Sequence, residues 1–121
     1  MSNIVKEFEV FDINLTTAQD CEFVLDVVKN TKTMCELYSN YYDGGDHISC
    51  ALYVDSDGYE ELLSKFPVFE HISYEVYELD EESKDSLVSS KKSVTEVIDE
   101  LKDIYARLEK IVEKYNVEPQ D

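Results

Sequence analysis

By number and spacing, carboxylates are the groups in this chain best placed to do chemistry. Twenty-eight Asp and Glu stand against eleven Lys and Arg in 121 residues, a formal charge of −17. They are unevenly placed: Met1 to Glu82 holds nineteen acids and four lysines, whereas Ser83 to Asp121 holds nine acids and seven bases. Solubility asks a small domain for a net charge of only about 2–8, and charge beyond that repels itself and opposes compaction. The acids fall in rows: Glu7, Glu9 and Asp12; Asp20, Glu22 and Asp26; Asp43 and Asp46; Asp55 and Asp57 within Asp55 to Glu61; and Glu75 to Glu82. Carboxylates two apart on a strand repeat at ~6.6 Å, and those three or four apart on a helix at ~5–6 Å. Such rows imitate the regular negative charge of a nucleic-acid backbone. A protein cleft built of Lys and Arg to grip phosphates would accept them, and long-range attraction would speed the encounter. The plain alternative is a solvated acidic surface.

Tyr38, Tyr42, Tyr53 and Tyr77 interleave with Glu36 and Glu75 on positions that alternate outward along strands. Tyrosine offers contact area with one polar handle and is enriched at recognition surfaces; the other reading makes these rings a second core under a helix. A sheet that stacks on nucleic-acid bases needs Lys or Arg beside its aromatics. Here the neighbours are carboxylates, so the expected partner is a basic, Lys/Arg-rich nucleic-acid-binding protein or nuclease. Direct binding of nucleic acid or of anionic membrane is disfavoured by repulsion.

Other chemistries have little support. Cys21, Cys35 and Cys50 are odd in number and form no CxxC pair, against a disulfide framework or zinc site; each stands where an apolar residue would, as a structural thiol. His47 and His71 are expected outward on strands, with Cys50 on the face opposite His47, so no thiol–imidazole pair is set up. Asp55-Ser56-Asp57-Gly58 resembles half a calcium loop but lacks the later ligands and the closing Glu. Asp43-Gly44-Gly45-Asp46 is too short, and wrongly charged, for a phosphate loop. No catalytic residue, metal site or cofactor is expected, and the chain reads as a non-enzyme.

The elements that must position these groups follow from periodicity. Lys6 to Leu15 is a strand whose apolar positions start on one parity (Phe8, Val10) and end on the other (Phe11, Ile13, Leu15), as in a bulged or doubly buried strand. Thr16-Thr17-Ala18-Gln19 reads as a capping box, with Cys21, Val24, Leu25 and Val28 at helical spacing to about Asn30. Two β-rich runs between Thr33 and Val54 flank the glycines of a hairpin; Cys35, Leu37, Ile48, Cys50, Leu52 and Val54 face one way, and Glu36, Tyr38, Asn40, Tyr42, His47, Ser49, Ala51 and Tyr53 the other. Asp57 caps a short helix that Pro67 closes. A fourth strand places Ile72, Tyr74 and Val76 inward and Ser73, Glu75 and Tyr77 outward. Residues 81–92, rich in serine, read as a linker or weak helix. Ser93-Val94-Thr95-Glu96 then opens a long helix over 93–116, with a polar tail at 117–121. Val94, Val97, Leu101, Ile104, Leu108, Ile111 and Tyr115 hold an a/d register, widened by Ile98, Tyr105 and Val112. That stripe either packs on its own body or forms a homodimer.

The order β-α-β-β-α-β over residues 4–79 resembles the ferredoxin-like sandwich, two helices on one face of a four-stranded antiparallel sheet. The fold class expected is therefore α+β, an acidic ferredoxin-like body at 1–80 followed by the long helix. In size, charge and lack of a catalytic motif the chain resembles, by type, phage-encoded anti-restriction and anti-CRISPR inhibitors. That resemblance implies a cytoplasmic protein of a bacterial host cell that mimics nucleic acid. The alternatives are an immunity protein for a basic nuclease toxin and a small-molecule-sensing regulatory module. No membrane-spanning run is present.

Overall fold

A computed structural model describes residues 6–42 and 45–115, with the backbone alone at 40–42 and 45–47. The architecture is α+β, with a four-stranded antiparallel sheet and a long C-terminal helix. The elements are β1 (Lys6–Asn14), α1 (Ala18–Asn30), β2 (Met34–Tyr42), β3 (Gly45–Val54), α2 (Ser56–Lys65), a 3-10 turn (Pro67–His71), β4 (Glu75–Leu79) and α3 (Glu81–Tyr115). The sheet order is β2-β3-β1-β4. Among the described residues no helix is long and apolar enough to cross a membrane.

The change of apolar parity along β1 has a simple origin. Its pairing with β3 runs unbroken from Glu9 to Asn14 and that with β4 from Lys6 to Val10, without a bulge, so the strand is buried on both faces. Phe11 and Leu15 join a large core with α1, α2, the 3-10 turn, Cys35, Cys50, Leu52 and Val54. Phe8 and Val10 point the other way, into a smaller cluster with Met34, Ala51, Tyr53 and Leu87. Aromatic rings fill the large core at one end, where Phe11 meets Phe69 edge-on at 4.9 Å.

Local capping differs from the simplest sequence reading by one or two residues. The N-cap of α1 is Thr17 rather than Thr16, and Asp20 rather than Gln19 closes the box. The Asp20 carboxylate accepts from the backbone N–H groups of Thr16 and Thr17 and from the Thr16 hydroxyl; a negative charge also suits the positive end of the helix dipole better than an amide. For α2 the cap is Asp55, two residues before the expected Asp57, and its Oδ1 accepts from Gly58 N at 2.8 Å. Gly58 is required there because a Cβ would lie 2.6 Å from Val54 Cγ2.

Two expectations are corrected. The fourth strand starts only at Glu75, so Ile72 and Tyr74 precede it, and His71 lies in the 3-10 turn rather than on a strand. Val76, expected inward, is 52% exposed, because β4 is an edge strand beyond the reach of short α2, which touches β1 and β3. The long helix begins at Glu81, twelve residues early, so the serine-rich segment is its first turns and Ser93-Val94-Thr95-Glu96 is interior helix. Asp80 caps it by accepting from Ser83 N. The hydroxyls of Ser89, Ser90 and Thr95 bond to carbonyls of the preceding turn, which keeps a hydroxyl-rich stretch helical. The polar tail, 117–121, lies outside the described residues.

Contacts trace the path of α3. Leu87 packs on the sheet face opposite α1, beside Leu79. Lys91 donates to the Thr31 carbonyl just before edge strand β2, Ile98 is fully buried in the large core, and Tyr105 donates to the Leu15 carbonyl. The helix thus starts on one side of the sheet, passes the β2 edge and finishes alongside α1. It covers the β2 edge, and among the described residues no strand pairs with the outer edge of β4.

Candidate functional site

The face of the sheet opposite α1 and α2 is built by alternation. Pairing fixes its lattice: one row across the strands reads Met34, Tyr53, Val10, Glu75 and the next reads Glu36, Ala51, Asp12. With strands ~4.8 Å apart, Asp12 and Glu36 sit ~10 Å apart and Asp12 and Glu75 ~8 Å apart at the backbone. Tyr77 pairs with Phe8 in the row beyond Tyr53, and Tyr38 stands two residues beyond Glu36.

Three open depressions adjoin on this face. The first, about 310 Å³, is lined by Val10, Asp12, Glu36, Tyr38, Ala51, Tyr53 and Tyr77. The second, about 430 Å³, shares Val10 and Asp12 with it and adds Ile72, Ser73, Tyr74 and Glu75. The third, about 450 Å³, shares Glu36 and Tyr53 and runs under the start of α3 to Leu79, Glu82, Ser83, Ser86 and Leu87. Taken together as one trough, they hold four carboxylates and, among the described residues, no Lys or Arg.

Its tyrosines are tied to its acids. Tyr53 OH donates to Glu36 Oε1 at 2.8 Å and Tyr77 OH to Glu75 Oε1 at 3.0 Å. Burial, the bond to Glu36 and the nearby charges of Glu36 and Asp12 push the Tyr53 phenol well above its ordinary range. The bond to Glu75, its charge and that of Asp12 raise Tyr77 as well. Both phenols stay neutral donors, so the negative charge here belongs to carboxylates. Tyr53 is also part of the cluster under Leu87, while Tyr77 is 45% exposed; the rings divide between second core and open surface.

The trough therefore gathers Asp12, Glu36, Tyr38, Tyr53, Glu75 and Tyr77, and the other predicted acids lie elsewhere. Glu7 and Glu9 face the helix side, because they alternate with Phe8 and Val10. Glu9, near Tyr59, has one buried carboxylate oxygen without a hydrogen-bond partner. Burial raises the Asp20 carboxyl, but hydrogen bonds from Thr16 and Thr17 outweigh it and hold the group below its ordinary value; its charge serves the α1 cap. Glu22 and Asp26 are exposed on α1. Asp55 and Asp57 line a further hollow at the sheet end, which meets the trough at Tyr53 and holds Lys32 and Glu61. The side chains of Tyr42 and Asp46, and Asp43 altogether, lie outside the described residues. Glu82, expected in the acidic row that ends the fourth strand, reaches the trough from the first turn of α3 instead; the signal was Asp80 with Ser83 three residues on, a helix start that brings Glu82 back over the sheet.

On α3 the expected apolar stripe is split. Val94 and Leu101 pack against the large core with Ile98 and Tyr105, whereas Val97, Ile104, Leu108, Ile111 and Tyr115 are exposed.

The three thiols are buried. Burial and the charges of Asp20 and Glu109 push Cys21 up to about 11, and a bond to Cys35 together with burial raises Cys50. Among the described residues no group of three or more His, Cys, Asp and Glu could hold a metal ion. Comparison with protein-family models, curated proteins and solved structures gives no match. The trough's own chemistry has to carry the functional reading.

Proposed function

We propose that this chain is a non-catalytic acidic inhibitor that presents the trough on its free sheet face to the Lys/Arg-lined nucleic-acid channel of a nuclease or other DNA-binding protein. In type it is a phage anti-restriction or anti-CRISPR protein acting in the bacterial cytoplasm. The observation that supports this is the overlap of the three depressions: Asp12, Glu36, Glu75 and Glu82 line them with Tyr38, Tyr53 and Tyr77, and among the described residues no Lys or Arg does, the nearest hollow with a cation being the one where Lys32 meets Tyr53. Carboxylates set ~8–10 Å apart on strands can each take one Lys or Arg head. The rings beside them offer faces to guanidinium groups, and Arg is the cation that stacks best there. A ferredoxin-like body is part of the same proposal: the sheet order β2-β3-β1-β4 and the element order suit it, and that arrangement leaves one sheet face free of both crossover helices.

The test is displacement of labelled duplex DNA from basic bacterial nucleases and DNA-binding proteins at low salt. Release is expected from at least one, and raised ionic strength should weaken the inhibitor's own binding. Reversal of Asp12, Glu36 and Glu75 to Lys together should weaken inhibition by roughly tenfold or more, while reversal of Glu22 and Asp26 on α1 should change it less than about threefold. Equal losses from the two groups, or no release from any basic protein, would refute the proposal.

A further inference from the structure

α3 carries two apolar faces, and its own body uses only one. Turning 100° per residue, Leu87, Val94, Ile98, Leu101 and Tyr105 form the face that packs inward, while Val97, Ile104, Leu108, Ile111 and Tyr115 form a second face roughly 80° round the helix. This second face runs ~27 Å along the helix. Its residues are exposed by 44% at Val97 to 70% at Tyr115. A continuous apolar strip of this kind on a helix whose other side is already docked marks an association surface.

We propose that the occupant is a second copy of this chain, joined through this face of α3 in antiparallel orientation. Charge selects that occupant. Residues 1–82 carry nearly all of the excess negative charge, but residues 94–115 hold six acids and four bases, so two copies meet with least repulsion along this helix. The strip's border is also self-complementary. Glu100 and Arg107 lie on the same flank, four residues before and three after Ile104, and Arg107 is the only arginine of the chain. Neither is in an ion pair among the described residues. When two such helices run antiparallel, the same flank of each meets the same flank of the other. A two-fold axis near Ile104 then sets Glu100 of each copy against Arg107 of its mate, as an isologous interface requires. A parallel pair would instead bring that flank against Ile98, Tyr105 and Val112, of which Ile98 is buried in the core. The shallow groove of about 750 Å³ between Thr16 and the end of α3, walled by Tyr105, Leu108 and Val112, borders the strip and adds room for apolar side chains of the mate.

Light scattering after size exclusion on the full chain, loaded from roughly 1 μM to 1 mM, tests this directly. The mass is expected to rise with concentration to twice the monomer's. I104E combined with L108E should hold the chain at monomer mass with an unchanged circular dichroism spectrum, since both positions are exposed. R107E alone should weaken the dimer by roughly fivefold, and E100R with R107E should restore it to within about twofold. Monomer mass at every concentration, a dimer that survives I104E/L108E, or a charge swap that fails to restore R107E would overturn the proposal. DNA displacement by the trough is read in a separate assay with its own variants, so the two proposals can fail independently.

Discussion

Replacing Ile98 by Ala should destabilise the protein far more than replacing Ile104, six residues along the same helix. Ile98 is 0% exposed within the large core and Ile104 is 45% exposed. The first substitution removes three buried carbons, at ~0.8 kcal/mol each about 2.4 kcal/mol, and leaves a cavity whose lining relaxes only in part, for a total of about 3–4 kcal/mol. At Ile104 the loss should stay below ~0.5 kcal/mol. Helix propensity favours Ala over Ile by a few tenths of a kcal/mol at both sites, so it cancels in the difference. Urea denaturation followed by circular dichroism, at a concentration where the chain is monomeric, reads this as a fall in midpoint of about 2 M for I98A with an m-value near ~1.5–2 kcal/mol/M. I104A should hardly move it. A fall below ~1 kcal/mol for I98A, or equal effects at the two sites, would show that α3 is not built into the core.

Thr17→Ala removes the side-chain acceptor for Asp20 N and should cost about 1 kcal/mol in the same assay. Gly58→Ala should destabilise by ~1–3 kcal/mol despite alanine's better helix propensity, because its Cβ would collide with Val54 Cγ2; in V54A the added cost should shrink, a coupling that a double-mutant cycle reads. The raised phenol of Tyr53 contributes stability that is complete below the unfolded tyrosine pKa of ~10 and is lost as pH rises toward the folded value. Y53F should therefore flatten the alkaline fall in stability and remove a late-titrating tyrosine from the absorbance titration.

The trough was legible in the sequence wherever alternation fixes a face. Glu36 and Tyr38, Ala51 and Tyr53, Glu75 and Tyr77 fall on one side because a strand has period two, and β1 showed by its change of parity that it sits between neighbours on both faces. Charge rows were less informative, since two carboxylates on one element do not share a surface unless their parity agrees. Glu9 and Asp12 differ in parity and face opposite ways, and Asp20 and Asp55 were drawn into helix caps, a local use that competes for any Asp near a helix start. The start of α3 was hidden because serine disfavours helix interiors on average, whereas here the hydroxyls bond to the preceding turn and Leu87 anchors the segment on the sheet. The split of the a/d stripe was out of reach for a different reason. A register gives the faces of a helix, but which face its own body takes is decided by where the chain enters, here with Leu87 held on one side of the sheet and Ile98 buried in the large core on the other.

Backbone NMR during titration with an arginine-rich peptide at low salt reads cation docking at the free sheet face residue by residue. The largest shifts are expected at Asp12, Glu36, Ala51, Tyr53, Glu75 and Tyr77, fading as salt is raised. Shifts spread evenly over all acidic segments, or centred on Glu22 and Asp26 of α1, would contradict it.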